Sequence, residues 1–303
     1  MDRPSVDVVV PFVGSDDDLT TLCEHLSGLE RVDGDTIAVV DNRPRPQAAP
    51  ERTIAGVRVI SAPGVQSSYY ARNRGVAAGS SPWLVFVDAD VRVDRDLIGR
   101  YFQLLPASDT AILAGTIANE VVDAGSGAPI AVRYAHLAQV FAQETTLANP
   151  AFPYAMTANC AIRRDAFEDV GGFVEHVRSG GDADICIRIQ AKDFKLEQRP
   201  DARVTHVSRD SVRKLLRQSA RHGSGAAWLE RLYPGFSPAG RVPGSWGTRQ
   251  IAASIVTGLR GDRERALVKL IDGARSVAFD FGRRVSNEVS PGPSGNGSGP
   301  VDL

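Results

Sequence analysis

Two carboxylates stand one residue apart at the end of an apolar run in the segment WLVFVDADVRVD, residues 83–94. The run from Trp83 to Val87 is typical of a buried strand, so Asp88 and Asp90 come where that strand ends. Carboxylates this close repel each other unless a cation or a proton lies between them. Mg²⁺ and Mn²⁺ bind one or two carboxylates together with substrate phosphates, so a divalent cation site is one interpretation. The other is that Asp90 caps a turn and Asp88 is solvated.

Three more polar residues stand where they could contact a nucleotide. Asp41 ends the apolar segment AVVDN, and Arg72 and Asn73 lie in YYARNRG. Together they offer the hydrogen-bond acceptors and donors that suit a base or a ribose. The alternatives are a turn aspartate that bonds its own backbone and a surface arginine.

A fourth acid, two histidines and two arginines complete the candidates for chemistry. Asp182 follows two glycines in SGGDADICIRI, a pattern that locally favours a helix N-cap over a general base. His206 ends the segment ARVTHV, and one imidazole with two carboxylates makes a reasonable metal set. The basic stretch that contains Arg217, Arg221 and His222 is either a solvated face or a site for phosphates or an anionic acceptor.

The elements that must position these residues alternate between strand and helix. Apolar runs predict strands at 6–13, 36–42, 56–60, 83–90 and 111–117, with helices at 16–30, 67–79 and 94–105, the last opened by Asp94. This alternation predicts a parallel α/β sheet whose ligand lies at the carboxyl ends of the strands. We predict a domain over 1–230, with halves 1–118 and 119–230, a helical extension over 231–288 and a disordered tail over 289–303.

Composition excludes several classes of function. The chain of 303 residues has 35 Lys and Arg against 36 Asp and Glu, so no global charge recruits nucleic acid. Three dispersed cysteines, Cys23, Cys160 and Cys186, predict buried, reduced thiols in a cytoplasmic protein. No apolar run approaches the about 20 residues of a membrane helix. The GxxxxGK[ST], GxGxxG and GxSxG patterns of common nucleotide sites and serine hydrolases are absent.

Taken in chain order, these segments resemble the family 2 glycosyltransferases of the GT-A fold. The resemblance covers roughly residues 5 to 230, and the ordered set of blocks is far more specific than any one of them. It implies a mixed, mostly parallel α/β sheet flanked by helices and a non-processive bacterial enzyme. The matching blocks are VVVPF, AVVDN, SSYYARNRGVAAG, WLVFVDADV, TANCAIRRDAFEDVGGF, SGGDADICIRI and VTHVSRDSVRKLLRQSARHGSG.

The resemblance also assigns roles to the candidate residues. Asp182 matches the base of an inverting transfer, which takes the proton of an acceptor hydroxyl. A divalent cation, Mn²⁺ or Mg²⁺, would be bound by Asp90, Asp88 and His206. A nucleotide-diphosphate sugar would be bound by Pro11, Asp41, Arg72, Asn73 and Asp88. The acceptor would be a saccharide or a lipid-linked molecule, with peripheral association at the inner face of the membrane and homo-oligomerisation left open.

One departure from the family pattern keeps rival functions open. The family commonly has Glu-Asp where this chain has Gly181-Asp182, so the acid before the base is missing. A non-catalytic relative that binds a nucleotide sugar or a partner protein is therefore one alternative. A nucleotidyltransferase is the other, although the acidic segment PFVGSDDD lacks the Gly-rich, basic phosphate loop of that class.

Overall fold

The structure, a computed structural model, describes residues 3–44, 50–120, 127–138, 143–207, 211–237 and 244–289. Within these ranges nine strands form one mixed sheet with helices packed on it. The strands are β1 (Val6–Phe12), β2 (Thr36–Asp41), β3 (Glu51–Ile54), β4 (Val57–Ser61), β5 (Trp83–Val87), β6 (Val91–Val93), β7 (Thr110–Asn119), β8 (Asn159–Arg163) and β9 (Lys195–His206).

The sheet places the carboxyl ends of its central strands side by side. The strand order is β3-β4-β2-β1-β5-β8-β7-β9-β6, and β4, β2, β1 and β5 are parallel to one another. Phe12 at the end of β1 pairs with Asp41 at the end of β2, and Val9 pairs with Phe86 near the end of β5. The valines of β1 are buried because the sheet is covered on both faces. The predicted ligand edge is therefore built by β1, β2 and β5.

Several strand pairs are antiparallel, whereas the alternation of strands and helices predicted a parallel sheet. β8 runs antiparallel to β5 and β7, and β3 and β6 pair antiparallel with β4 and β9. The sequence did not predict β3 and β6, which have four and three residues and carry too few apolar positions to show a period. The mixed sheet flanked by helices that the family resemblance implied is confirmed.

The helices follow the sequence pattern most closely in the first half. Ser15 caps α1 and shares a reciprocal pair of hydrogen bonds with Asp18, which closes the first turn. The helix predicted to open at Asp94 begins only at Leu97, and Asp96 flanks it without a side-chain cap bond. The helices are α1 (Asp16–Ser27), α2 (Ser68–Ala77), α3 (Leu97–Tyr101), α4 (Ile130–Ala138), α5 (Gln143–Leu147), α6 (Arg164–Asp169), α7 (Gly181–Gln190), α8 (Val212–Leu232), α9 (Ser245–Leu259) and α10 (Arg263–Gly282).

The last three helices pack on one another through glycines. A Cβ at Gly223 in α8 would lie 2.0 Å from the Phe279 oxygen in α10, and one at Gly282 would lie 1.9 Å from the Ala220 oxygen. Two glycines thus let the α8 and α10 backbones approach closely. The apolar residues of α10 are only partly buried: Ile271 is 4% exposed, whereas Phe281 is 64% exposed.

Two smaller predictions can be compared with the described residues. Cys23, Cys160 and Cys186 are buried and free, as predicted. The helices described above include none that combines the length and apolar character needed to cross a bilayer. Of the predicted tail, residues 290–303 lie outside the described residues.

The α8–α10 contact predicts opposite effects for two Gly→Ala changes. We expect Gly282→Ala to lower the free energy of unfolding by about 1–3 kcal/mol, because the new methyl group meets backbone that must move. The control is Gly258→Ala in α9, where the added Cβ meets only the Ala266 Cβ at 3.6 Å. It should leave stability unchanged or raise it by up to about 1 kcal/mol. Urea unfolding measures both, and equal midpoints for the two variants would contradict the packing described here.

Candidate active site

Two adjoining cavities open at the predicted edge of the sheet. The strand cavity, about 1150 Å³, is lined by residues that include Pro11 and Asn42 at the ends of β1 and β2. The helix cavity, about 520 Å³, is lined by residues that include Thr157 and Asp182. The residues that line both are Ser68, Arg72, Asp88, Asp90, Arg178 and Arg221. The two candidate metal carboxylates therefore lie at the junction of the cavities.

Asp88, the first residue after β5, is paired with a buried arginine. Arg72 is 3% exposed, and its Nη2 donates to the Asp88 Oδ1 at 2.5 Å. The guanidinium also lies over the rings of Tyr69 and Phe173, at 5.6 and 6.0 Å from their centroids. Burial raises the pKa of Asp88, the Arg72 charge opposes that rise, and the neighbouring Asp90 charge adds to it. The pKa of Asp88 is therefore raised mainly by burial, with the charges of Asp90 and Asp182 acting in the same direction.

Asp90 meets His206 because the short strand β6 pairs with the end of β9. Val91 is aligned with His206 in that pair, and Val207 N donates to the Asp90 carbonyl at 2.9 Å. The His206 Nε2 lies 3.5 Å from the Asp90 Oδ2. The predicted proximity of His206 to the acid pair is thus found in the structure. It depends on β6, a strand that the sequence did not predict.

The acid pair and His206 have the chemistry of a site for Mg²⁺ or Mn²⁺. The described residues hold no closed cluster of three metal ligands. Such cations, however, often take one or two carboxylates and leave the other positions to water and substrate phosphates. The repulsion between Asp88 and Asp90, which helps to raise the pKa of Asp88, is what a cation would relieve. The residues therefore fit a divalent cation shared with a phosphate ligand.

Asp182 lies in the first turn of α7 and faces the helix cavity. The N-cap of α7 is Gly180, with φ at 93°, so the local prediction that Asp182 caps the helix was wrong by two residues. Thr157 orients the carboxylate: its Oγ1 donates to Oδ1 at 2.9 Å and its N donates to Oδ2 at 3.2 Å.

An aromatic ring occupies the space that a side chain at position 181 would need. A Cβ at Gly181 would lie 2.6–2.8 Å from three ring atoms of Tyr69. Tyr69 is 5% exposed and lines the helix cavity, where burial, and after it the Asp182 charge, raise its pKa. Tyr69 therefore leaves no room for a side chain at position 181. This packing explains why the chain has Gly181-Asp182 where the family commonly has Glu-Asp.

Three of the predicted site residues, Asp41, Asn73 and Arg217, do not line the two cavities. Arg43 binds both carboxylate oxygens of Asp41, at 2.8 and 2.6 Å. Burial alone would raise the pKa of Asp41, but these hydrogen bonds outweigh it and lower the pKa. The Asn73 amide bonds the Phe173 backbone at 2.9 and 3.1 Å and the Glu175 side chain at 3.0 Å. Neither Asp41 nor Asn73 lines the cavities, and Arg217 lines a separate 210 Å³ depression beside Arg221.

Sequence reasoning missed the segment that follows α10. Residues 287–289 pair antiparallel with residues 176–178, directly before α7. Asn287, 3% exposed, accepts a bond from Ser224 Oγ at 3.2 Å and donates to the Ser179 oxygen at 2.8 Å. The end of the helical extension is thereby tied to α8 and to the loop that carries Arg178. No local signal reveals a contact between residues more than 100 positions apart.

The mixed sheet with its flanking helices has the GT-A fold. The chain belongs to the glycosyltransferase-like family 2, whose model matches residues 2–225. A pre-mycofactocin glycosyltransferase of Mycobacterium tuberculosis is 27% identical over 272 residues, 89% of this chain and 57% of that protein. Glycosyltransferase AglE of Haloferax volcanii is 28% identical over 160 residues, 53% of this chain and 50% of that protein. The chain thus spans little more than half the length of the curated relatives it matches.

Solved structures with the same fold are more distant in sequence. The mannosyltransferase PcManGT of Pyrobaculum calidifontis, in complex with GDP-Man and Mn²⁺, superposes with a TM-score of 0.58 at 16% identity, covering 92% of this chain and 87% of that one. Glucosyl-3-phosphoglycerate synthase of M. tuberculosis, in complex with Mn²⁺, UDP and phosphoglyceric acid, gives a TM-score of 0.51 at 16% identity, covering 75% and 78%.

The Tyr69–Gly181 contact predicts that a methyl group at Gly181 disturbs the site. We expect Gly181→Ala to lower the free energy of unfolding by about 1–3 kcal/mol, because the buried Tyr69 ring has to move. The control is Gly99→Ala in α3, where an added Cβ has no atom within 4 Å. Thermal melting compares the two variants. A Gly181→Ala protein that melts with the wild type would show that the ring does not depend on this glycine.

Proposed function

We propose that this chain is an inverting glycosyltransferase that moves a sugar from a nucleoside diphosphate sugar to an acceptor hydroxyl. The observation that carries the proposal is the division of the acids between the cavities. Asp88 and Asp90 line both cavities, whereas Asp182 lines the helix cavity and not the strand cavity. A donor whose diphosphate lies at the junction would thus present its sugar to an acceptor held near Asp182.

The strand cavity is proposed to bind the nucleotide. Its about 1150 Å³ lies slightly above the roughly 300–1,000 Å³ of small-molecule sites, which leaves room for a nucleotide, and Pro11 lies in its lining at the end of β1. Arg178 and Arg221, exposed cations at the junction, would contact the diphosphate. The GDP-Man and Mn²⁺ bound to PcManGT, and the Mn²⁺ and UDP bound to the M. tuberculosis synthase, support a donor of this class.

Asp88, Asp90 and His206 are the residues that would hold a divalent cation, Mn²⁺ or Mg²⁺. When bound, the cation supplies positive charge to the diphosphate as its negative charge grows during transfer. Arg72 meanwhile fixes Asp88 and opposes the rise in its pKa, since its guanidinium is buried between two rings and donates to the carboxylate. Its Nε has no hydrogen-bond partner among the described residues, so a buried donor is left for a ligand.

Asp182 is proposed to move the proton. The acceptor oxygen attacks the anomeric carbon from the face opposite the diphosphate, and its proton passes to the Asp182 carboxylate. The bond from the anomeric carbon to the diphosphate oxygen breaks with its electron pair on the diphosphate. Thr157 holds the two carboxylate oxygens at 2.9 and 3.2 Å, which orients the base before the acceptor binds. One displacement of this kind inverts the anomeric configuration.

Other features of the protein stay predictions. The cytoplasmic location, the non-processive transfer, the saccharide or lipid-linked acceptor, the membrane-face association and the homo-oligomer have no test in the structure. A non-catalytic relative would retain donor binding without turnover, and a nucleotidyltransferase would release pyrophosphate from a nucleoside triphosphate. Both outcomes are separable from release of a nucleoside diphosphate.

Asp182→Asn tests the base. We expect it to keep donor binding and to lose turnover by about 10²–10⁴-fold, because the amide cannot take the proton. Release of nucleoside diphosphate from a panel of nucleotide sugars measures turnover, and titration calorimetry measures donor binding. The control is Asp169→Asn, which removes an exposed carboxylate paired with Lys192 at 3.2 Å. Turnover by Asp182→Asn at the rate of this control would remove the base from the proposal.

Asp90→Asn tests the cation site through binding alone. A ligand at 100 times its Kd stabilises the folded state by about 2.7 kcal/mol, so a nucleoside diphosphate with Mn²⁺ should raise the melting temperature. We expect the rise to require Mn²⁺ and to disappear in Asp90→Asn. Asp96→Asn, which removes an exposed acid paired with Arg100 at 2.6 Å, should retain it. A rise that is equal with and without Mn²⁺ would contradict the assignment.

A further inference from the structure

The helix cavity contains a built aromatic wall in addition to Asp182. Tyr154 and Phe236 both line this cavity, and their ring centroids are 6.0 Å apart. Behind them Phe152 lies 6.1 Å from Phe236 and 5.9 Å from Tyr233. We name Tyr154 and Phe236 the aromatic wall. It comes from two segments, the loop before β8 and the turn after α8, which are distant in sequence.

Hydrogen bonds hold both segments of the wall in place. The Asn149 Oδ1 accepts from the Phe152 N at 3.1 Å, and its Nδ2 donates to the Phe236 oxygen at 3.4 Å. The Glu230 carboxylate accepts from the backbone N atoms of residues 235 and 237 at 2.9 and 2.7 Å, and these bonds lower its pKa. The wall is therefore formed before any ligand binds, which reduces the entropy cost of binding to it.

The turn after α8 is also tied to the helix that carries the proposed base. The Tyr233 OH donates to the Asp184 Oδ1 at 2.7 Å, and Arg188 donates to the Asp184 Oδ2 at 2.6 and 3.0 Å. Asp184 is 2% exposed and lies in the same first turn of α7 as Asp182. A ring bound against the wall would thus be positioned relative to Asp182 by one continuous set of contacts.

The charges of the helix cavity are unevenly distributed. Its acidic lining residues are Asp88, Asp90 and Asp182, all assigned above to the donor and the base. Arg283, from the end of α10, lines the helix cavity and not the strand cavity, so it is placed for the acceptor rather than for the nucleotide. Its Nη1 lies 3.4 Å from the Ser237 Oγ, next to the aromatic wall. The part of the cavity beyond the donor therefore has cationic and aromatic character.

We propose that the acceptor is an anionic, ring-bearing molecule: a hydroxyl compound whose ring stacks on Tyr154 and Phe236 and whose carboxylate or phosphate binds Arg283. This inference rests on the proposed function and adds the class of acceptor to it. Aromatic faces bind the C–H face of a sugar or another ring, and the planar guanidinium binds either anion with two parallel hydrogen bonds. Without an anionic acceptor, this half-buried arginine has its long contact to Ser237 and the charge of the Glu230 carboxylate, and one of its two guanidinium edges remains available to a ligand anion.

Binding of three matched probes tests the proposal. Glucuronic acid, glucose 6-phosphate and methyl glucoside share a pyranose ring and differ in their charged group. Each is titrated into the protein saturated with Mn²⁺ and the nucleoside diphosphate that gives the largest melting shift, so that the phosphate probe cannot enter the donor site. We expect at least one anionic probe to bind about tenfold or more tightly than methyl glucoside, the size expected for a charge-assisted pair.

Variants separate the arginine from the wall. Arg283→Gln should remove the preference for the anionic probe and Arg283→Lys should restore part of it, whereas Arg284→Gln, an equal charge change outside the cavity, should leave it intact. Phe236→Leu should weaken all three probes by about two- to tenfold, and Phe281→Leu, at an exposed ring outside the cavity, should not.

The outcomes distinguish this inference from the proposed function. Preference for the carboxylate or for the phosphate probe identifies the anion, and both support the inference. Equal binding of the charged and neutral probes, or an anion preference that survives Arg283→Gln, overturns it while leaving donor binding intact. Failure of every nucleoside diphosphate to shift the melting temperature would instead count against the proposed function, and with it against the acceptor class.

Discussion

The site is governed by the concentration of negative charge at the end of β5. Asp88 and Asp90 lie one residue apart, and the charge of Asp182 also acts on Asp88. Arg72 is the buried cation that pairs directly with Asp88, and it is held by the rings of Tyr69 and Phe173. Burial and the neighbouring acids raise the pKa of Asp88 although Arg72 opposes the rise, so the ionised acid pair would gain from further positive charge. A cation with its phosphate ligand meets that need, and the proposed donor site follows from it.

Two groups of elements surround Asp88 and Asp90, and each group forms one of the two cavities. The parallel strands β1, β2 and β5 build the strand cavity, whereas α7, the loop before β8 and the helical extension build the helix cavity. The extension is part of the site because Arg283 lines the helix cavity and Asn287 bonds the loop before α7. The glycine contacts of α8 and α10 bring the end of α10 to the helix cavity.

Local sequence patterns predicted the parts of the site that depend on local structure. Local patterns predicted Asp88 at a strand end and Asp182 at a helix start, and both residues lie there. Their roles in the site came from the family resemblance and stay predictions. The patterns failed where a partner distant in sequence decides the outcome. Asp182 is held by Thr157, and Gly181 packs against Tyr69, more than 100 residues away. Asp41 differs from both, because its partner Arg43 is only two residues away. Arg283 escaped notice because no motif surrounds it, and only the packing of α10 on α8 brings it to the cavity.

Anomalous X-ray scattering at the manganese absorption edge tests whether Asp88 and Asp90 hold a divalent cation. Crystals would be grown with Mn²⁺, with and without the nucleoside diphosphate that stabilises the protein. We expect an anomalous peak at the junction of the two cavities, in contact with the Asp90 carboxylate and the diphosphate. A bound nucleotide with manganese away from Asp88 and Asp90, or with no manganese in its site, would contradict the claim that this acid pair exists to hold a cation.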